Sequence, residues 1–197
     1  VTPSLKNYIG NITNTINEDD LLSIRKNYIK SLMDLNVSEK IITDKMPVNF
    51  RMIGLILTAI PEAKIIHLTR NPKATCWSNY KHYFANENGF TFDQEDLARF
   101  FILYQELMGF WHKSFPNKIY DISYERLTTH QEDETQKLLK YCELDWDNNC
   151  LNFHKNTRAV HTASASQVRQ KMYQGSSDAW KKYEKFLQPL IMGLNQT

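Results

Sequence analysis

The chain is 197 residues long, 42% hydrophobic and 23% charged, which is the make-up of one ordinary globular domain, or of a domain and a half, with a sizeable core rather than of a disordered segment. Its 24 Lys and Arg face 22 Asp and Glu, and the formal net charge of +2 is too balanced for a protein held by bulk nucleic-acid electrostatics. A local anion site stays open.

Residues 1–16 are polar and unpatterned. Asn17 stands as an N-cap ahead of Glu18, Asp19 and Asp20, the acidic first turn that a helix N-terminus favours. Leu21, Leu22, Tyr28, Ile29, Leu32 and Met33 follow as an apolar stripe. A short buried strand is expected over residues 40–43. Pro47 opens the next helix, with Ile53, Leu57 and Ile60 on one face. Residues 63–69 (AKIIHLT) carry the strongest strand pattern, and Pro61 marks the break before it. Asn71-Pro72 starts a helix that reaches about Tyr83, and residues 86–89 (NENG) form a loop. The longest helix is expected from Gln94 to Ser114, where Leu97, Phe100, Phe101, Tyr104, Leu107, Met108 and Trp111 recur at helical spacing and read as core. Residues 118–122 (KIYDI) read as a second strand and residues 135–142 as a helix. Residues 145–178 are irregular, and a last helix covers 179–192. Strands separated by helical crossovers imply parallel pairing, hence an α/β domain.

Several chemistries are excluded. The six glycines lie no closer than 18 residues apart, so neither a GxxxxGK[ST] loop nor a GxGxxG fingerprint exists. Cys76, Cys142 and Cys150 form no CxxC, which argues against a disulfide framework or a zinc knuckle and fits a reducing compartment. The histidines offer no HExxH, and no metal is expected. The most apolar stretch, residues 52–60, is far short of the ~20 residues a membrane span needs. No signal segment is visible, so a cytoplasmic location is expected.

Three clusters carry chemistry. In open α/β sheets, ligands sit beyond the carboxyl ends of strands, where helices begin. The best strand ends at Thr69-Arg70 and the next helix starts at Asn71-Pro72-Lys73, so free backbone N–H groups meet two full positive charges. That is the make-up of a phosphate site, with the Ser78 hydroxyl two turns along the helix. The competing reading pairs Arg70 with a carboxylate and leaves Lys73 solvated. The second cluster is Thr43-Asp44-Lys45-Met46-Pro47, also at an expected strand end before a helix. Lys45 either points to the same crevice or is a surface lysine beside an Asp44 that caps the helix. The third runs from Thr162 to Lys171, rich in hydroxyls and basic groups, and is either a linker or a loop that wraps an anion.

Together these residues resemble the C-terminal two-thirds of a sulfotransferase that uses 3′-phosphoadenosine 5′-phosphosulfate (PAPS). The likeness is closer to the tyrosylprotein and bacterial TPR-linked type than to the cytosolic small-molecule type. It rests on Asp44-Lys45-x-Pro47, on AKIIHLTRNPKATCWS with its Arg70-x7-Ser78 spacing, on Tyr124-Glu125-Arg126-Leu127 after a strand, and on Ser164-x-x-Gln167-Val168 with Trp180 downstream. These features span roughly residues 40–183. The resemblance implies a P-loop-like parallel sheet flanked by helices, and a nucleotide cosubstrate with a small-molecule, glycan or peptide hydroxyl as acceptor. It matches Arg70 and Ser78 to the pair that binds the 3′-phosphate, and Tyr124 to a nucleoside contact. The stretch from Ser164 to Tyr173, including Gln167, Val168 and Arg169, matches the loop over the nucleotide. Ser164 and Lys45 match groups near the transferring sulfuryl and the bridging oxygen, where fixed donors stabilise charge developing on the departing phosphate.

Departures accompany the likeness. No histidine stands in the Lys45 cluster, where cytosolic members place a catalytic one. A second arginine of the tyrosylprotein branch falls on His82, and a lysine before the downstream tryptophan is Ala179. Family members begin with a strand, a PRSGT-like phosphosulfate loop and a helix that in one branch carries the catalytic glutamate. Residues 1–39 hold no counterpart, and the chain starts without Met, so a single incomplete domain over 1–197 is expected. Residues 145–178 would be its nucleotide-covering region. Two other classes remain: a non-catalytic nucleotide-binding or interaction module with a degenerate fold, and a nucleotide kinase, against which the missing Walker lysine counts.

Overall fold

In the computed structural model, which describes residues 15–35, 39–84, 88–157 and 167–195, helix α1 spans Glu18–Met33 behind a complete capping box. The Asn17 side chain accepts from the Asp20 N–H at 2.9 Å, and the Asp20 carboxylate accepts from the Asn17 N–H at 3.0 Å. The chain divides into two units, Val1–Ile65 with Leu107–Lys118, and Ile66–Glu106 with Ile119–Thr197.

In the first unit, a 3₁₀ turn over Pro47–Met52 runs into α2 (Ile53–Ala59). The core is Ile24, Tyr28, Ile56, Ala59 and Ile60, with Leu21, Leu32, Met52, Leu55, Ala63 and Ile65 packed against it. The buried stripe of α1 is therefore Leu21, Ile24, Tyr28 and Leu32, at helical spacing, whereas the expected Leu22 and Met33 stand 64% and 71% exposed. Arg25 makes a two-pronged ion pair with Glu62, at 2.5 and 2.8 Å. Residues 40–43 do not form the expected buried strand. Ile41 and Ile42 are exposed, and among the described residues no strand offers their backbone a ladder. Trp111 donates from Nε1 to the Phe50 carbonyl at 2.8 Å, and its ring lies so close to Gly54 that a Cβ there would sit 2.6 Å from a ring carbon. Only glycine fits under that indole without movement.

The second unit holds the sheet, a parallel pair of β1 (Ile65–Thr69) and β2 (Ile119–Ser123). His67 on β1 bonds Asp121 on β2 at 2.6 Å through Nδ1 and the Tyr104 hydroxyl through Nε2. Helix α3 (Pro72–Tyr80) follows β1. Helix α4 (Gln94–Ser114) has the expected span, and its last turns, from Leu107, belong to the first unit. After β2 come α5 (Tyr124–Thr129), capped by Ser123, and α6 (Gln131–Cys142), longer than the pattern indicates. The stretch expected to be irregular contains a 3₁₀ helix at Asn148–Lys155 and another that begins at Ser176. The expected last helix is two elements, a 3₁₀ helix over Ser176–Phe186 and α7 over Gln188–Leu194. Leu187 leaves helical geometry between them, and Pro189, which has no N–H to give, sits in the first turn of α7. Ala74, Cys76, Leu97, Ala98, Phe101, Trp180, Leu187, Leu190 and Ile191 form this unit's core.

Candidate functional site

Two neighbouring parallel strands release the chain at the same sheet edge, β1 into Arg70-Asn71-Pro72 and β2 into Tyr124-Glu125. The Arg70 guanidinium is held on two sides. Its Nε–H donates to Ser177 Oγ at 3.2 Å, and Nη2 donates to the Ser176 carbonyl at 2.8 Å and to Ser176 Oγ at 3.2 Å. It also lies over the Tyr124 ring, 4.8 Å from the centroid, and the Tyr124 hydroxyl is 2.8 Å from Ser176 Oγ. Among the described residues Nη1 has no partner, so two N–H donors of the fork stay open.

Glu125 is the other fixed group. Its Oε1 accepts from the Asn71 N–H at 3.0 Å and the Ser177 hydroxyl at 2.6 Å, and its Oε2 accepts from the Ser123 hydroxyl at 3.3 Å. Burial pushes this carboxyl up, but the hydrogen bonds from Asn71, Ser177, its own backbone and Ser123 together outweigh it and leave the group below the usual glutamate range. Helix α3 starts beside it. The Asn71 side chain caps the Ala74 N–H at 3.0 Å, and the Thr75 N–H closes on the Asn71 carbonyl. The Lys73 ammonium sits 4.8 Å from the centre of the Trp180 ring. Trp180 is 7% exposed, and its indole N–H is buried with no hydrogen-bond partner among the described residues.

The alternative drawn from sequence does not hold here: among the described residues Arg70 forms no ion pair with a carboxylate, and Lys73 lies against an indole. Ser78 is half-buried two turns into α3. Lys45 belongs to the first unit and is exposed. Asp44 beside it does not cap the 3₁₀ turn Pro47–Met52, whose N-cap residue Met46 makes no side-chain cap; Asp44 accepts from the Tyr28 hydroxyl at 2.9 Å. Ser164 lies outside the described residues. Gln167 begins a short 3₁₀ turn, Gln167–Arg169, in which Val168 is half-buried and Arg169 exposed. Sequence reasoning missed Glu125, Ser176 and Ser177. The signal was present for the first, since Glu125 stands inside the Tyr124–Leu127 motif, whereas a Gly-Ser-Ser triplet carries none.

An arginine at a strand end, a helix N-terminus behind it and two parallel strands are the arrangement of an α/β fold in which helices follow the strands. The model of the sulfotransferase family matches residues 11–148. The chain belongs to that family. It is 40% identical over 174 residues to an uncharacterised protein of Aquifex aeolicus (strain VF5), a match covering 87% of this chain and 23% of that protein, so the chain spans about a quarter of this relative's length. Its fold is similar to the sulfotransferase domain from the curacin biosynthetic pathway, with a TM-score of 0.56 and 15% identity over 80% of this chain and 60% of that one. Among the described residues, no helix is long and apolar enough to cross a membrane.

Proposed function

We propose that the protein transfers a sulfuryl group from PAPS to a hydroxyl acceptor, and that Arg70 and the start of α3 hold the 3′-phosphate of the nucleotide. The observation that carries this reading is the state of Arg70: anchored through Nε and Nη2, open through Nη1, and uncompensated by any carboxylate among the described residues. The residues present fit a phosphate. The Lys73 N–H makes no hydrogen bond to a described residue, the Lys73 ammonium is one side chain away, and the helix N-terminus favours negative charge. Ser78 adds a hydroxyl to the same helix, and Tyr124, whose ring lies under the Arg70 guanidinium, is assigned to the nucleoside.

In the reaction, the acceptor hydroxyl gives up its proton to a base as its oxygen bonds to sulfur, while the bond from sulfur to the bridging oxygen breaks and negative charge gathers on the departing 5′-phosphate. Lys45 and Ser164 are assigned to that charge, because a fixed cation and hydroxyl aimed there lower the barrier. Gln167, Val168 and Arg169 are assigned to the covering loop, within residues 145–178. A cytoplasmic site of action accompanies this reading.

Calorimetric titration with adenosine 3′,5′-bisphosphate and with 5′-AMP tests it. A charge-assisted contact of ~1.5–3 kcal/mol predicts that the bisphosphate binds roughly ten- to a hundred-fold tighter. Equal affinities, or binding of neither nucleotide by the folded protein, overturn the reading.

A further inference from the structure

Glu125 and Arg70 come close to the same serine without touching each other. The Ser177 hydroxyl has one hydrogen, and at 2.6 Å from Glu125 Oε1 that hydrogen goes to the carboxylate. The oxygen lone pairs are then turned to the Arg70 Nε–H at 3.2 Å. The neighbouring Ser176 carbonyl takes Nη2 at 2.8 Å, so rotating the guanidinium breaks bonds to both serines. The same Glu125 oxygen accepts the Asn71 N–H, the first residue after the arginine and the cap of α3. One carboxylate thus fixes the cation and the helix end together.

The interposed hydroxyl also has an electrostatic consequence. A direct glutamate–arginine pair would fill the guanidinium donors and cancel their charge. Here the arginine is oriented by the carboxylate and still presents its charge and Nη1 to a ligand. The adjacent Arg126 is bound elsewhere, to Glu134 at 2.8 and 3.2 Å, so it does not compete for Glu125.

We infer that Glu125 and Ser177 are positioning residues that aim Arg70 at a phosphate monoester on the nucleotide ribose, an inference that rests on the reading of Arg70 given above. They act through Arg70 and leave the rest of the nucleotide untouched, so they control selectivity between nucleotides rather than overall nucleotide affinity.

The test titrates full-length protein with adenosine 3′,5′-bisphosphate and 5′-AMP in the wild type and in Ser177→Ala, Glu125→Ala and Glu125→Gln, with a thermal melt of each. Ser177→Ala and Glu125→Ala are expected to weaken bisphosphate binding by about three- to tenfold, the size of one or two lost hydrogen bonds, while 5′-AMP changes less than about twofold. Glu125→Gln keeps a carbonyl oxygen for Asn71 and Ser177 and is expected to restore most of the discrimination. Ser177→Ala and Glu125→Ala proteins that weaken both nucleotides equally, or that melt lower while keeping the wild-type ratio, overturn the positioning role and leave the Arg70 reading standing. A wild type that does not distinguish the nucleotides overturns the Arg70 reading itself, and the positioning role with it. Should Glu125→Ala fail to fold, Ser177→Ala decides alone, because it leaves the Asn71–Glu125 bond in place.

Discussion

Arg70 and Lys45 look alike in sequence, each a basic residue after an apolar run and just before a proline-started helix. The structure builds the two corners differently. At the first, β1 ends on a paired strand, Asn71 caps a nine-residue helix, and Arg70 is locked by two serines. At the second, residues 39–43 form no strand, the next turn is 3₁₀ without a side-chain cap, and Asp44 is taken by Tyr28. A basic residue near a helix start keeps a fixed and open donor only when other groups hold its side chain and leave donors unspent. Proximity to a proline does not accomplish that.

The sharpest way to break the comparison is Arg70→Ala, which should erase the roughly ten- to hundred-fold preference for the bisphosphate over 5′-AMP. Lys45→Ala should leave that ratio within about twofold and lower the rate of sulfuryl transfer instead, which steady-state kinetics beside the titration would read. A next-smaller effect falls on the second corner alone. Gly54→Ala drives a Cβ to 2.6 Å from the Trp111 ring, and the overpacking should cost about 1–3 kcal/mol in denaturant unfolding while the nucleotide ratio holds. Tyr28→Phe, which removes the bond to Asp44, should cost about 0.5–1.5 kcal/mol by the same measurement.

The smallest expected effect is a pH dependence at the first corner. The Glu125 carboxyl lies below its ordinary value in the folded protein because, although burial opposes it, the hydrogen bonds from Asn71, Ser177, its own backbone and Ser123 prevail. A depressed carboxyl stabilises the fold fully above its unfolded value, about 4.3, and loses that contribution as pH falls through the lower folded value. The melting temperature of the wild type should exceed that of Glu125→Gln at neutral pH, and the gap should close below about pH 4. A gap that widens in acid would contradict the assignment.

Much of the frame was legible. The 3.6-residue recurrence of apolar side chains marks α4 from Gln94 to Ser114, and Asn17 with an acidic first turn marks α1. Those signals are local, and local chemistry suffices for them. The reading of residues 40–43 failed because a strand needs a neighbour, and an apolar pair such as Ile41 and Ile42 does not reveal whether one exists. Ser123-Tyr124 did not read as a helix start, although the Ser123 hydroxyl accepts the Arg126 N–H in the manner of an N-cap. At the site, Arg70 was readable because charge and position coincide within four residues. Ser176 and Ser177 were not, and Glu125 was marked only by its motif, since what makes the three matter is a meeting between segments far apart in the chain.

That distance shapes how the site comes into being. The bonds that fix Arg70 join it to residues 106 and 107 positions later. During synthesis, the arginine and its sheet partner leave the ribosome long before the serines exist, and closing so large a loop is slow relative to forming the helices between them. Gly175, with φ of 87° in the left-handed region, is the N-cap residue of the 3₁₀ helix that opens with the two serines. The contacts that hold Arg70 are therefore expected to be among the last of its unit to form. A nascent chain halted before Ser176 would carry the arginine but have nothing to aim it.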